Sequence, residues 1–228
     1  ELTEARRQQG VWEVTAKDEI GGRPVTIRAR SVVNATGAYA DQLNGLLRQP
    51  TEYHHAFSKG VHLIVDKLVS SSRILAFFAS DGRLFFVIPM GAKTCIGTTD
   101  TRVDGPRADI TAEDRCFVLD NINALMDLGE PLTEADIIAE RCGVRPLAVQ
   151  GEVGGADWLA LSRKHAIDVN KADAYLSVFG GKLTDCLNVG EEVATALEKC
   201  GVRLPYAQQR WYGEPPDAVR DEFFHQAA

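Results

Sequence analysis

A junction near the end of the chain constrains the fold more than any other stretch. In "LSVFGGKLTDCLNVGEEV", residues 176–193, a β-leaning apolar run ends in two glycines and a lysine, and an amphipathic helical pattern follows without a spacer. Glycines let a flat ligand lie on the main chain, and free N–H groups at a helix start favour negative charge. The pattern predicts a cradle for an electron-rich ring edge, with Lys182 adding a full charge. A tight turn with a solvated lysine is an equally open interpretation.

Composition narrows the class of protein. The five cysteines among 228 residues are scattered and form no C-x-x-C pair, which argues against a disulfide framework and a zinc site. A net charge of −7 disfavours a nucleic-acid partner. No apolar run is long enough to cross a bilayer, and the first residues lack the pattern of a secretory signal. We therefore expect a cytoplasmic protein without a bound metal.

The pattern of elements predicts a mixed fold. Two strands joined around Gly21 and Gly22, followed by the helical stretch "AYADQLNGLL", indicate an edge of an α/β sheet. From residue 51 four short runs, "GVHLIVD", "SRILAFFAS", "RLFFVIPM" and "KTCIGTTD", predict an antiparallel meander. Thr111 is placed to cap an amphipathic helix, and a last helix is expected from Leu183 to about Lys199.

Two further stretches could carry chemistry. "NATG", residues 34–37, ends a buried strand where the backbone could come near a ligand, although a plain strand-to-helix turn would look the same. Arg145 stands in the apolar run "CGVRPL", and a buried arginine needs an anionic or dipolar partner. That partner is either a ligand or a nearby acid such as Glu140.

Other charged and titratable residues are more ambiguous. Arg163 in "LALSRKH" either binds an anion or faces water, and the second interpretation is favoured. His62 in "KGVHLIV" lies on the side of its strand opposite Val61 and Leu63; most histidines of this kind are hydrogen-bonded core residues, yet its ordinary pKa suits a general base. The adjacent histidines at 54 and 55 lack metal-ligand spacing with it.

Taken in order, "NATG", "KGVHLIV", "VIPMGAKTCIGTTD", "ERCGVRPL" and "LSVFGGKLTD" resemble the FAD-dependent glycerol-3-phosphate dehydrogenases, from about residue 30 to residue 199. The resemblance implies oxidation of glycerol 3-phosphate to dihydroxyacetone phosphate by hydride transfer to FAD, with electrons passing to a quinone. It implies a mixed α+β and α/β fold, in which part of a Rossmann-like FAD-binding domain joins an antiparallel-sheet substrate-binding domain.

The resemblance also assigns roles to residues. His62, Arg145 and Lys182 are expected to be catalytic, with His62 as the base, and Arg163 is expected to help Arg145 and Lys182 hold the substrate. "GGKLTD" departs from the usual "GGKLTT" at Asp185. The residues expected to lie along the FAD are Ala35, Thr36, Gly37, Gly180, Gly181, Lys182, Leu183 and Thr184.

These assignments divide the chain into four parts. Residues 1–48 are expected to belong to the FAD-binding domain, 49–170 to the substrate domain, 171–203 to the FAD-binding domain again, and 204–228 to a linker. Because no G-x-G-x-x-G turn precedes "NATG", the chain is interpreted as the middle and later part of a longer enzyme, which could touch the inner membrane peripherally.

Two other functions remain open. The chain could belong to a flavin oxidase that acts on an amino acid, whose pocket would have to fit a carboxylate and an amine. It could also be a catalytically silent piece that binds no FAD by itself and self-associates through exposed apolar surface.

Overall fold

The computed structural model describes residues 1–151 and 161–203, which form three sheets and three α-helices. The predicted linker, residues 204–228, lies outside the described residues. The predicted fold class is confirmed, since α/β and antiparallel parts occur in one chain. Within the described ranges no helix combines the length and the apolar character that crossing a membrane requires.

The first sheet is an antiparallel meander of three strands. β1 (Leu2–Gln8), β2 (Val11–Lys17) and β3 (Pro24–Ala29) pair in chain order. The sequence predicted the second strand, but it predicted the third as one run that continues through Val32 and Val33 to "NATG". That continuity is wrong, because the chain leaves the sheet after Ala29 and residues 32–34 form a separate strand in another sheet. β1 was not predicted, because "LTEARRQ" alternates too weakly to stand out from a solvated segment. Trp12 of β2 is buried against Tyr175, which fastens this sheet to the next.

The second sheet holds both glycine turns. β4 (Val32–Asn34) runs parallel to β12 (Tyr175–Gly180), and β11 (His165–Asn170) pairs with β12 in an antiparallel hairpin. After β4 a short 3-10 helix, Gly37–Tyr39, leads into α1 (Ala40–Leu46). After β12 a second one, Leu183–Asp185, leads into α3 (Cys186–Lys199). The predicted helices are therefore present at both turns.

The third sheet is the largest. Its strands are β5 (Tyr53–Asp66), β6 (Leu75–Phe78), β7 (Leu84–Met90), β8 (Lys93–Gly97), β9 (Thr101–Val103) and β10 (Ala139–Gln150). They follow the order β10-β5-β8-β7-β6, with β9 also pairing with β5. Three of the four strands predicted to form a meander, β6, β7 and β8, do so, whereas the first, β5, pairs with β8 and not with β6. The predicted domain boundaries stay a prediction. The boundary after residue 170 assigned β11 to the substrate domain, whereas β11 pairs with β12 of the second sheet.

One face of the third sheet is covered by α2 (Ala112–Leu125). Thr111 caps this helix through a capping box with Asp114, as the sequence predicted. Because side chains alternate along a strand, Val61 and Leu63 of β5 pack toward α2, while His62 faces the other way. The buried Lys59 Nζ reaches the carboxylate of Asp114 at 2.5 Å on the helix side of the sheet.

Candidate active site

A cavity of about 460 Å³ opens on the face of the third sheet that α2 does not cover. Its walls come from distant parts of the chain: the turn before β7, the end of β8, β10, the segment before β11, and the turn after β12. Four cationic side chains and two carboxylates line it, which leaves an excess of positive charge. These charged residues are Asp81, Arg83, Asp100, Arg145, Arg163 and Lys182.

Arg145 reaches the cavity from β10. It lies opposite Ser58 in the register between β10 and β5, on the face opposite the apolar core. Its guanidinium donates to Thr98 Oγ1 at 3.1 Å and extends over the backbone of Gly60. Burial lowers the pKa of Arg145, and nearby Arg163 and Arg83 lower it further against the opposing effect of Asp100. An anion entering the cavity would relieve this crowding of cations.

Glu140 is not the partner of Arg145, although the sequence left that interpretation open. The carboxylate of Glu140 instead binds Arg115 of α2, which donates from Nη2 to Oε2 at 2.9 Å and also from Nε. The acid in the cavity wall whose charge acts on Arg145 is Asp100, which raises the pKa of Arg145 against the effect of burial. The guanidinium of Arg145 therefore remains directed toward the cavity.

Arg163 is placed by Asp100. Its Nη2 donates to Asp100 Oδ2 at 2.9 Å, while Ser58 Oγ donates to the other carboxylate oxygen. The Asp100 side chain is 11% exposed and that of Arg163 is 51% exposed, so the carboxylate is fixed and the arginine extends outward. Asp100 lies in the "IGTTD" segment, to which the sequence gave no role.

Arg83 is a cation that sequence reasoning missed, because it was interpreted only as the first residue of the strand "RLFFVIPM". It forms an ion pair with Asp81, and its Cζ lies 4.9 Å from the centre of the Phe117 ring. Among the described residues its buried Nε has no hydrogen-bond partner. The guanidinium of Arg83 is thus held against α2 and Asp81, while the residue borders the cavity and its charge lowers the pKa of Arg145.

The turn after β12, residues 180–185, is named the glycine–lysine loop here. Gly180 and Gly181 have φ of 62° and 87°, and a β-carbon on either would come within 3.0 Å of Ala148 N or His165 Cβ. Only glycine fits both the conformation and the space. The side chains that follow, Lys182, Leu183 and Thr184, are exposed, and Lys182 lines the cavity with Arg145.

The far end of the glycine–lysine loop is held by His165 of β11. Its Nδ1 lies 2.6 Å from Asp185 Oδ2 and its Nε2 lies 3.1 Å from Glu192 Oε2. Burial would lower the pKa of His165, but hydrogen bonds to Asp185 and Glu192 and their charges raise it overall. Asp185, the departure from the resembled motif, is therefore the residue that ties the loop to β11.

The "NATG" turn, residues 34–37, is stabilised by hydrogen bonds from the buried side chain of its first residue. Asn34 is fully buried; its Oδ1 accepts from Thr36 Oγ1 at 2.7 Å and its Nδ2 donates to the carbonyl of Ala40 at 2.9 Å. Ala35, Thr36 and Gly37 are exposed, and Gly37 has φ of 60° with open space around its α-carbon. These residues present bare backbone to whatever lies beside the turn.

His62 lies on the same face of the third sheet as Arg145 but does not line the cavity. It stands opposite Arg141 on β10 and opposite Gly97 on β8. Burial lowers the pKa of His62, and the charges of Arg145 and Arg141 lower it further. The ring is therefore held in its neutral form near neutral pH. No cluster of three potential metal ligands occurs in residues 1–151 and 161–203.

The fold is that of the FAD-dependent oxidoreductases. The family model described as "FAD dependent oxidoreductase" matches residues 1–166, and the chain belongs to that family. The chain is 37% identical over 183 residues to glycerol-3-phosphate dehydrogenase 2 of Mycobacterium bovis, which covers 78% of this chain. It is 30% identical over 197 residues to the aerobic glycerol-3-phosphate dehydrogenase of Staphylococcus aureus, covering 85% of this chain.

A solved structure agrees with these sequence relatives. The glycerol-3-phosphate dehydrogenase of Bacillus halodurans, complexed with FAD, superposes with a TM-score of 0.74 and 31% identity over 91% of this chain. The resemblance stated from the motifs is thereby confirmed. The chain spans only 30% of the length of the Mycobacterium bovis relative, 34% of the Staphylococcus aureus relative and 40% of the Bacillus halodurans chain.

Proposed function

We propose that the protein containing this chain oxidises sn-glycerol 3-phosphate to dihydroxyacetone phosphate and passes the electrons to FAD. The observation that carries this proposal is the meeting of Arg145, Arg163 and Lys182 at one cavity, with Arg83 beside them. Four cations against two carboxylates suit a phosphate dianion. The relatives named glycerol-3-phosphate dehydrogenase support the same substrate.

The residues present fit the ring end of FAD. The glycine–lysine loop offers exposed backbone to an electron-rich ring edge at the start of the 3-10 helix Leu183–Asp185, and Ala35, Thr36 and Gly37 offer a second exposed turn. When bound, FAD supplies the two-electron oxidation of the substrate alcohol. The sequence contains no G-x-G-x-x-G turn, so these residues account for contacts to the ring and not to the pyrophosphate.

Substrate binding, charge stabilisation and proton removal are assigned to different side chains. Arg145 and Arg163 bind and orient the phosphate or the reacting oxygen, because a planar guanidinium suits an oxyanion. Lys182 stabilises negative charge that develops at the ring edge beside the loop. His62 lies outside the cavity wall but on the same face of the sheet as Arg145. We propose that it is the base that removes the proton of the C2 hydroxyl, because it is neutral near pH 7 and a permanently charged arginine is unsuited to that task.

We further propose a quinone as the final electron acceptor, with the protein acting in glycerol metabolism on the cytoplasmic side, in peripheral contact with the inner membrane. These parts of the proposal rest on the resemblance to the dehydrogenase family alone.

An amino-acid substrate is the competing assignment, and the charges of the cavity disfavour it. An amino acid needs one partner for its carboxylate and a neutral or acidic place for its ammonium group, whereas the cavity has an excess of cations.

The test is anaerobic reduction of bound flavin in the full-length protein, followed through its visible absorbance. Glycerol 3-phosphate, glycerol and a panel of amino acids are compared at equal concentrations. We expect rapid bleaching by glycerol 3-phosphate and very slow bleaching by glycerol, which lacks the phosphate. Faster reduction by an amino acid than by glycerol 3-phosphate would overturn the proposal.

A further inference from the structure

A buried histidine that sequence reasoning set aside holds the near end of the glycine–lysine loop. His55 Nε2 accepts a hydrogen bond from the backbone N–H of Gly180 at 3.2 Å. On the other side of the ring, Nδ1 lies 2.8 Å from Asp41 Oδ2. The ring thus bridges α1 and the end of β12.

The chemistry of these partners fixes the tautomer of His55. A backbone N–H can only donate, so Nε2 must carry a lone pair, and the proton resides on Nδ1 and is donated to Asp41. Burial alone would raise the pKa of Asp41, but its hydrogen bonds from His55 lower it overall, so the carboxylate stays ionised. Asp41 also accepts the backbone N–H of His55 at 3.1 Å.

The ring has no freedom to turn away. The His55 side chain is 0% exposed, and its ring centre lies 5.1 Å from that of Phe179 and 5.8 Å from that of Phe57. Its neighbour His54 is exposed on the same strand. The buried histidine therefore has two fixed partners and close packing, while the adjacent one provides a natural comparison.

We propose that His55, oriented by Asp41, is a positioning residue that sets where Lys182 stands relative to Arg145. Gly180 ends β12 two residues before Lys182, and Gly180 and Gly181 are confined by Ala148 and His165 respectively. A shift of the Gly180 amide is therefore passed along the loop to the lysine. Because the 3-10 helix Gly37–Tyr39 leads from the Asn34–Gly37 turn into α1, which carries Asp41, the same ring links the two turns expected to face the flavin. This functional part rests on the proposed function.

The test uses two variants of the full-length protein that separate the two hydrogen bonds of the imidazole ring, one with Asp41 and one with Gly180. His55→Asn keeps a donor for Asp41 but is too short to accept from Gly180, whereas His55→Gln places an amide oxygen near the site of Nε2. The first readout is hydrogen exchange of the Gly180 amide without substrate. We expect His55→Asn to speed this exchange by about tenfold, the loss of one hydrogen bond, while His55→Gln and the control His54→Asn stay near the parent.

The second readout is the kinetics of glycerol 3-phosphate oxidation. We expect His55→Asn to lower kcat more than it raises KM, with partial rescue in His55→Gln. Unchanged Gly180 exchange in folded His55→Asn would overturn the proposal. If that variant does not fold, Asp41→Ala, which removes the acceptor of the Nδ1 proton, decides by the same measurement: faster exchange supports the proposal and unchanged exchange refutes it. Since exchange needs no turnover, an inactive parent would refute the proposed function without affecting this readout.

Discussion

The guanidinium group of Arg145 occupies the space that a side chain at position 60 would fill, directly over the α-carbon of Gly60. The absence of a side chain on β5 is thus what allows an arginine from β10 to reach the cavity. Gly143 lies opposite Gly60 in the same strand pair, and a β-carbon there would meet nothing within 4 Å.

Replacing Gly60 by Ala should therefore displace the guanidinium. We expect kcat/KM for glycerol 3-phosphate to fall roughly 10- to 100-fold, the effect of misplacing an orienting group by about an ångström. Gly143→Ala is the matched control and should behave like the parent in steady-state assays. Equal activities of the two variants would contradict the placement of Arg145 in the site.

Lys182→Met should slow flavin reduction by substrate roughly 100-fold, because it removes a charge that acts on the reacting ring. The measurement is single-turnover reduction in the stopped flow. Lys164→Met is the control, since Lys164 is exposed near the loop but outside the cavity that holds Arg145. A parental rate in Lys182→Met would remove the electrostatic argument.

His62 should govern the acid side of the pH profile. Its pKa is lowered from 6.5 by burial and by two arginines, so the neutral base should persist below pH 6.5. We expect kcat/KM to decline only below that pH. His62→Gln should lower the rate by about 10²- to 10⁴-fold and abolish this decline. A profile unaltered in shape in the variant would exclude His62 as the base.

His165 should make stability depend on pH in a defined direction. The pKa of His165 in the folded protein is raised above 6.5. The stabilisation that protonated His165 provides is therefore complete below about pH 6.5 and is lost as the pH rises through the pKa of the folded state. At pH 5.5, where Asp185 is ionised, His165→Gln should cost about 2 kcal/mol, as for a hydrogen bond between charged groups. Urea unfolding at pH 5.5 and pH 9 measures the cost, which should shrink at the higher pH.

The buried pair of Lys59 and Asp114 should be intolerant of losing one member. Asp114→Asn leaves the Lys59 ammonium, 6% exposed, without its counter-charge, and we expect a loss of about 3–5 kcal/mol in the free energy of unfolding. Asp120→Asn, on the exposed side of the same helix, should change stability by less than about 0.5 kcal/mol. Chemical denaturation of both variants makes the comparison.

Local signals explain what the sequence could predict. The capping pair at the start of α2 lies within four residues, and the two glycines stand close before their helix, so both could be predicted from short stretches. The 3-10 helix Leu183–Asp185, which separates the glycines and Lys182 from α3, was not predicted. The meander was readable from alternation and turns. That Arg145, Arg163 and Lys182 lie at one site was predicted only from the family resemblance, because no local sequence pattern shows which distant segments of a chain come into contact.

What the sequence missed depends on distant partners. His55 acquires its role from Asp41, 14 residues away, and from Gly180, 125 residues away. Arg83 lies in a segment typical of a plain turn, and its stacking partner Phe117 belongs to a helix on another part of the sheet. Residue types and their spacing do not predict such long-range contacts, which can be identified only when the strand order is known.

The alternation along β5 has an evolutionary consequence. Odd-numbered positions such as Val61 and Leu63 support the helix, and the even-numbered Gly60 and His62 face the opposite surface. Inserting or deleting one residue upstream in this strand would exchange the two sets and destroy both surfaces together. Natural variation in β5 should therefore change its amino acids far more readily than its length.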